Sequence, residues 1–126
     1  FVDALDQRIE ERGLTNVSVV RNTSESLLLE RHRLDRAILC DSFHYLSDPH
    51  SILKSLRNSL SPGGEVLIVV GSETFQALNL KTLADRLRER ENLINFVSAS
   101  GFEFVDGVPL RNLPTGWCLR FRMYSK

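Results

Sequence analysis

The chain has 126 residues, 42% of them hydrophobic and 25% charged, with 16 basic and 16 acidic side chains and no formal net charge. That is enough for one domain with a buried core, too short for two, and too apolar for a disordered chain. The charge balance gives no reason to expect a nucleic-acid or anionic-membrane partner, and no apolar run approaches the length of a membrane span.

The chain opens in a helical pattern. Val2, Leu5 and Ile9 recur on one face between charged residues, and Gly13 suits a left-handed stop, so a helix is expected over Phe1 to Arg12. Starting without Met and already helical, the chain reads as beginning inside a domain. Val17, Val19 and Val20 then predict a strand over Asn16 to Arg21, ended by Asn22-Thr23-Ser24. Ser24 to Leu29 suits a short helical turn, and Glu30-Arg31-His32-Arg33 reads as a solvated connection.

The most informative stretch runs from Leu34 to Val70. Arg36 to Cys40 carries the continuous apolar run Ala37-Ile38-Leu39-Cys40, the pattern of a strand covered on both faces. Asp41-Ser42-Phe43-His44-Tyr45 leaves its carboxyl end. Asp48-Pro49 then opens a helix to about Leu60, with Asp48 as cap and Ile52, Leu53, Leu56 and Leu60 on one face. Pro62-Gly63-Gly64 is expected to stop it in a tight turn before the apolar strand Val66 to Val70. Strand, helix, strand makes a βαβ unit, so the two strands should be parallel.

A helical region is expected from Phe75 to Ser100, as two helices or one broken helix, ended by Gly101. Phe102 to Val105 reads as a short strand closed by Asp106-Gly107, and Leu110 to Gly116 as a loop. Trp117 to Tyr124 alternates, with Trp117, Leu119, Phe121 and Met123 on one face. Two strands joined without a helix should pair antiparallel. Cys40 and Cys118 both fall inside expected buried strands, which predicts reduced core thiols in a cytoplasmic protein rather than a disulfide.

This order of elements resembles the carboxy-terminal two thirds of a class I S-adenosylmethionine-dependent methyltransferase. The pieces that carry the likeness are Glu11-Arg12-Gly13-Leu14-Thr15-Asn16-Val17, Asp35-Arg36-Ala37-Ile38-Leu39, Phe43-His44-Tyr45-Leu46, Leu53 to Leu56, Leu60-Ser61-Pro62-Gly63-Gly64 and Ala99-Ser100-Gly101-Phe102. The resemblance implies an α/β, Rossmann-like methyltransferase sheet, mostly parallel with an antiparallel carboxy-terminal pair and truncated at its amino end, in a single partial domain over residues 1–126. It implies S-adenosylmethionine as cofactor and a small molecule as methyl acceptor. Two features depart from the family pattern. The Gly-rich loop and the acidic residue that holds the ribose are absent, and would lie before Phe1. The acidic residue many relatives carry after the third strand is replaced by Thr23, flanked by Asn22 and Ser24. The chain alone is therefore expected to be inactive.

In such a sheet, ligands sit outside the carboxyl ends of the strands. On the resemblance, Thr23, Ser24, Cys40, Asp41 and Phe43 are the expected cofactor-binding residues, and Tyr45 and Glu73 the expected substrate contacts. His44 is the candidate base, since an imidazole titrates near neutrality; a structural histidine bonded to a loop carbonyl is the other reading. Asp41 either lines the cleft or caps nearby amides. His32, His44 and His50 do not form a metal-ligand pattern, with or without Asp41. The alternative function is a methyltransferase-like binding or assembly module that does not catalyse. A fragment of another doubly wound nucleotide-binding domain is a third reading, against which the antiparallel final pair argues. A truncated sheet would also expose an edge and an apolar face, which predicts self-association.

Overall fold

The computed structural model describes residues 2–110 and 113–124, leaving aside the side chains of 113–115. In chain order the elements are α1 (Val2–Glu11), β1 (Leu34–Cys40), α2 (Pro49–Ser59), β2 (Leu60–Val70), α3 (Ser72–Ala77), α4 (Leu83–Ala99), β3 (Phe102–Leu110) and β4 (Leu113–Met123). The four strands form one sheet in the order β1-β2-β4-β3. β1 and β2 are parallel, with Ala37 opposite Val66 and Cys40 opposite Val69. β4 runs antiparallel to both β2 and β3. The architecture is the expected α/β one, with the βαβ unit and the reversed final pair in place.

The core lies on one face. Leu53 and Leu56 of α2 and Leu93, Ile94 and Val97 of α4 pack on Val66, Ile68, Val70, Phe102, Leu119 and Phe121 of the sheet. Asp48 caps α2, its carboxylate accepting the Ser51 amide at 3.1 Å, and Thr82 caps α4 through the Asp85 amide at 3.1 Å. The expected helical region is two helices. Asn79 adopts φ 56, the Leu80 amide closes on the Phe75 carbonyl at 2.8 Å, and the chain restarts at the Thr82 cap. The Pro62-Gly63-Gly64 segment lies inside β2 at an irregularity of the ladder, where Leu34 pairs with Leu60 but Arg36 with Glu65. Gly63 turns at φ 81, and a Cβ on Gly64 would stand 2.9 Å from the Ser61 carbonyl oxygen, so both glycines are required by geometry.

Several expectations are corrected. Residues Asn16 to Arg21 form no strand. Their valines have strand propensity but no pairing partner, and Val17 and Val20 stay 46% and 48% exposed. Ser24 to Leu29 forms no helical turn; Thr23 instead organises it, its hydroxyl accepting the Ser26 amide at 3.0 Å. The cysteines are free but not core residues: Cys40 is exposed and Cys118 half-buried. The reason is the second face of the sheet, which no helix covers among the described residues. Ile38 there is 66% exposed. The same face carries an ion-pair chain, with Glu65 contacting Arg36 at 3.5 Å and Arg120 at 3.2 Å, and Arg120 contacting Asp106 at 2.7 Å. β3 is also longer than expected, reaching Leu110, and β4 begins at Leu113 inside the stretch expected to be a loop. Residues 111 and 112 of that stretch lie outside the described residues.

Candidate active site

β1 and β2 are parallel neighbours, so their carboxyl ends deliver two loops to one end of the sheet. The Asp41 amide still joins the ladder, donating to the Val69 carbonyl at 2.9 Å. Asp41 then turns into the left-handed region at φ 49, a conformation Asp tolerates better than most residues. The turn frees its carboxylate to reach across to the chain leaving β2. Oδ1 accepts hydrogen bonds from the Gly71 amide at 2.8 Å, the Thr74 amide at 3.3 Å and the Thr74 hydroxyl at 2.6 Å. Gly71 caps α3 without a side chain of its own, so a carboxylate thirty residues away satisfies the first amides of that helix.

Burial pushes the Asp41 carboxyl up. The Thr74 hydroxyl, the Gly71 and Thr74 amides and the charge of His44 push it down, and they win: it is held below the usual carboxylate range. Asp41 thus caps nearby amides, and it does so at the carboxyl end of β1.

Phe43–Tyr45 form a single 3-10 turn after Ser42. Phe43 packs edge-on against Phe96 of α4, with ring centroids 6.1 Å apart. His44 stacks on Tyr45 at 4.1 Å and brings Nδ1 within 3.4 Å of the Thr74 hydroxyl. The other ring nitrogen, Nε2, is buried and has no hydrogen-bond partner. His44 lines a cavity of about 20 Å³, shared with Phe43, Val70, Thr74, Phe75 and Leu93. That space holds about one water-sized group. Arg86, Glu89 and Arg90 of α4 reach the same cavity.

The structure thus brings Asp41, Phe43, His44 and Tyr45 together, with Tyr45 71% exposed at the rim. Cys40 ends β1 beside them on the open face. Glu73 is exposed in the first turn of α3. Thr23 and Ser24 are exposed, and the hydrogen bonds of Thr23 stay within its own turn. Sequence reasoning missed Thr74, only 3% exposed, which links Asp41 to His44. A hydroxyl in the first turn after an apolar strand was the available signal; its partner lies 33 residues upstream.

A family model described as a methyltransferase domain matches residues 1–68. No curated protein sequence matches the chain. Among solved structures, the chain is similar to an SAM-dependent methyltransferase from Aquifex aeolicus, at 15% identity and a TM-score of 0.77, over 98% of this chain and 63% of that one. It is similar to the PH0226 protein from Pyrococcus horikoshii, at 13% identity and a TM-score of 0.70, over 98% of this chain and 66% of that one. It is also similar to the (4+2) cyclase SpnF, at 18% identity and a TM-score of 0.74, over 99% of this chain and 64% of that one. The chain spans about two thirds of the length of these proteins.

Proposed function

Because the chain belongs to the methyltransferase domain family, we propose that it serves the transfer of a methyl group from S-adenosylmethionine to a small molecule, at the cleft formed by the carboxyl ends of β1 and β2. The observation that carries this reading is the buried, unpartnered Nε2 of His44 beside a carboxylate-organised loop. A buried ring nitrogen needs a hydrogen-bond partner, which a water or a substrate group in the adjoining cavity can supply.

The residues present fit one wall of a site for this methyl donor. Asp41 and the Cys40 end of β1 would face it, Phe43 would pack behind the wall, and Tyr45 and Glu73 would meet the acceptor at the rim. Ser24 would offer a hydroxyl where a hydrogen bond rather than a charge suffices, while that of Thr23 is committed to its own turn. The bound donor supplies an electrophilic methyl group on a sulfonium. The chain's own contribution is positioning, exclusion of water by the Phe43–Phe75 side of the cleft, and a base. His44 is that base on this reading. Free thiols favour a cytoplasmic setting, and no helix among the described residues is long and apolar enough to cross a membrane.

A second reading is a binding or assembly module without catalysis. The likeness to a protein described as a cyclase adds that this fold hosts more than one chemistry. Calorimetric titration of the full-length protein with S-adenosylmethionine separates the two. Saturable binding displaced by S-adenosylhomocysteine supports methyl transfer; no heat of binding supports the module.

A further inference from the structure

The Thr74 hydroxyl has one proton and two candidate acceptors, Asp41 Oδ1 at 2.6 Å and His44 Nδ1 at 3.4 Å. The nearer acceptor is also the charged one, and hydrogen bonds to a carboxylate are roughly twice as strong as neutral ones. The proton therefore goes to Asp41. The hydroxyl oxygen can then only accept, so the proton of the neutral imidazole must sit on Nδ1. That leaves Nε2 with a bare lone pair. It is the same nitrogen that is buried without a partner, in a side chain lining a cavity with room for about one hydroxyl- or amine-sized group.

We infer that Asp41, Thr74 and His44 form a relay that fixes the imidazole tautomer, with Thr74 and Asp41 as positioning residues, so that Nε2 takes a proton from an acceptor whose nucleophilic atom bears one: a hydroxyl or an amine. This rests on the methyl-transfer reading and adds to it the substrate class. In the step it serves, a lone pair on the acceptor's oxygen or nitrogen forms the new bond to the methyl carbon, and the electrons of the broken carbon–sulfur bond stay on sulfur. The acceptor's O–H or N–H bond breaks as its proton goes to Nε2, and that bond's electron pair stays on the acceptor atom. A thioether or other proton-free nucleophile gains nothing from such a nitrogen. The ordering of proton, carboxylate and hydroxyl explains why Asp41 is worth holding at positive φ. From there one oxygen meets Gly71 and Thr74 together.

Nitrogen-15 spectroscopy of the histidine-labelled full-length protein reads the tautomer directly, without donor or acceptor bound. At a pH where His44 is neutral, Nδ1 is expected as the protonated nitrogen and Nε2 as the bare one. Thr74→Val, of nearly the same shape, should invert this assignment, and Thr74→Ser should restore it. The charged and titratable groups around the ring are Asp41, Tyr45, Arg86, Glu89 and Arg90; none of them is altered by these variants. Nε2–H in the wild type, or an unchanged tautomer in Thr74→Val, overturns the inference. Titration of the same wild-type sample with S-adenosylmethionine keeps the two ideas apart. A correct tautomer without binding leaves the relay standing and removes methyl transfer.

Discussion

Replacing Asp41 tests the arrangement at its base. Its Oδ1 accepts from two amides, Gly71 and Thr74, and from one hydroxyl, and both donor residues are buried. Asp41→Ala removes all three bonds and leaves those donors without a partner, which costs about 1–3 kcal/mol at a buried site. It also removes the short polar side chain that helps Asp hold the left-handed conformation at φ 49. Because one oxygen serves all three donors, the bonds do not add, and the expected loss is about 3 kcal/mol. Asp41→Asn tolerates the left-handed conformation and keeps a neutral oxygen acceptor, so it should lose only about 1 kcal/mol. Urea unfolding at neutral pH measures both. The difference between wild type and Asp41→Asn also has a signed pH dependence. The carboxyl is held below its usual range in the folded protein. Its contribution is therefore complete at neutral pH, persists down to the ordinary carboxylate range, and disappears as the pH falls through the folded value. An Asp41→Ala variant within about 0.5 kcal/mol of wild type, the scatter of ordinary surface changes, would refute the reasoning.

Other outcomes are expected. A Cβ on Gly64 meets the backbone oxygens of Ser61 and Asp35, at 2.9 and 3.2 Å, whereas one on Gly63 meets nothing within 4 Å. In urea, Gly64→Ala should therefore lose about 1–3 kcal/mol by overpacking, and Gly63→Ala only the cost of its positive φ, about 1–2 kcal/mol; the reverse order counts against the register of β2. In the 126-residue chain on its own, the sheet face around Ile38 and the β1 edge should drive concentration-dependent association, which Ile38→Lys weakens. Sedimentation that finds a monodisperse monomer at high concentration contradicts this.

The fold was legible where period and punctuation agree. Asp48-Pro49 marked a helix start, and the alternation from Trp117 to Met123 marked a strand with one buried face, as Leu119 and Phe121 prove to have. It was illegible where burial depends on what covers a face. Ala37-Ile38-Leu39-Cys40 is a continuous apolar run, yet Ile38 and Cys40 face outward, because a run reports the composition of both faces and not their partners. The same holds for Val17 and Val20, whose propensity cannot supply a neighbouring strand. At the site, chain position alone located Asp41 and His44, since loops at the carboxyl ends of parallel strands converge. Thr74 stayed hidden because its meaning comes from a hydrogen bond spanning 33 residues. No local pattern encodes such a contact; it arises from the parallel register of β1 on β2.

Amide chemical-shift mapping of the full-length protein during titration with S-adenosylmethionine tests the location of the cleft most directly. The expected result is a saturable set of shifts centred on Cys40, Asp41, His44, Gly71 and Thr74, at the carboxyl ends of β1 and β2. Shifts confined to the opposite end of the sheet, around Arg31, Arg57 and Arg122, or no shifts at saturating donor, would contradict it.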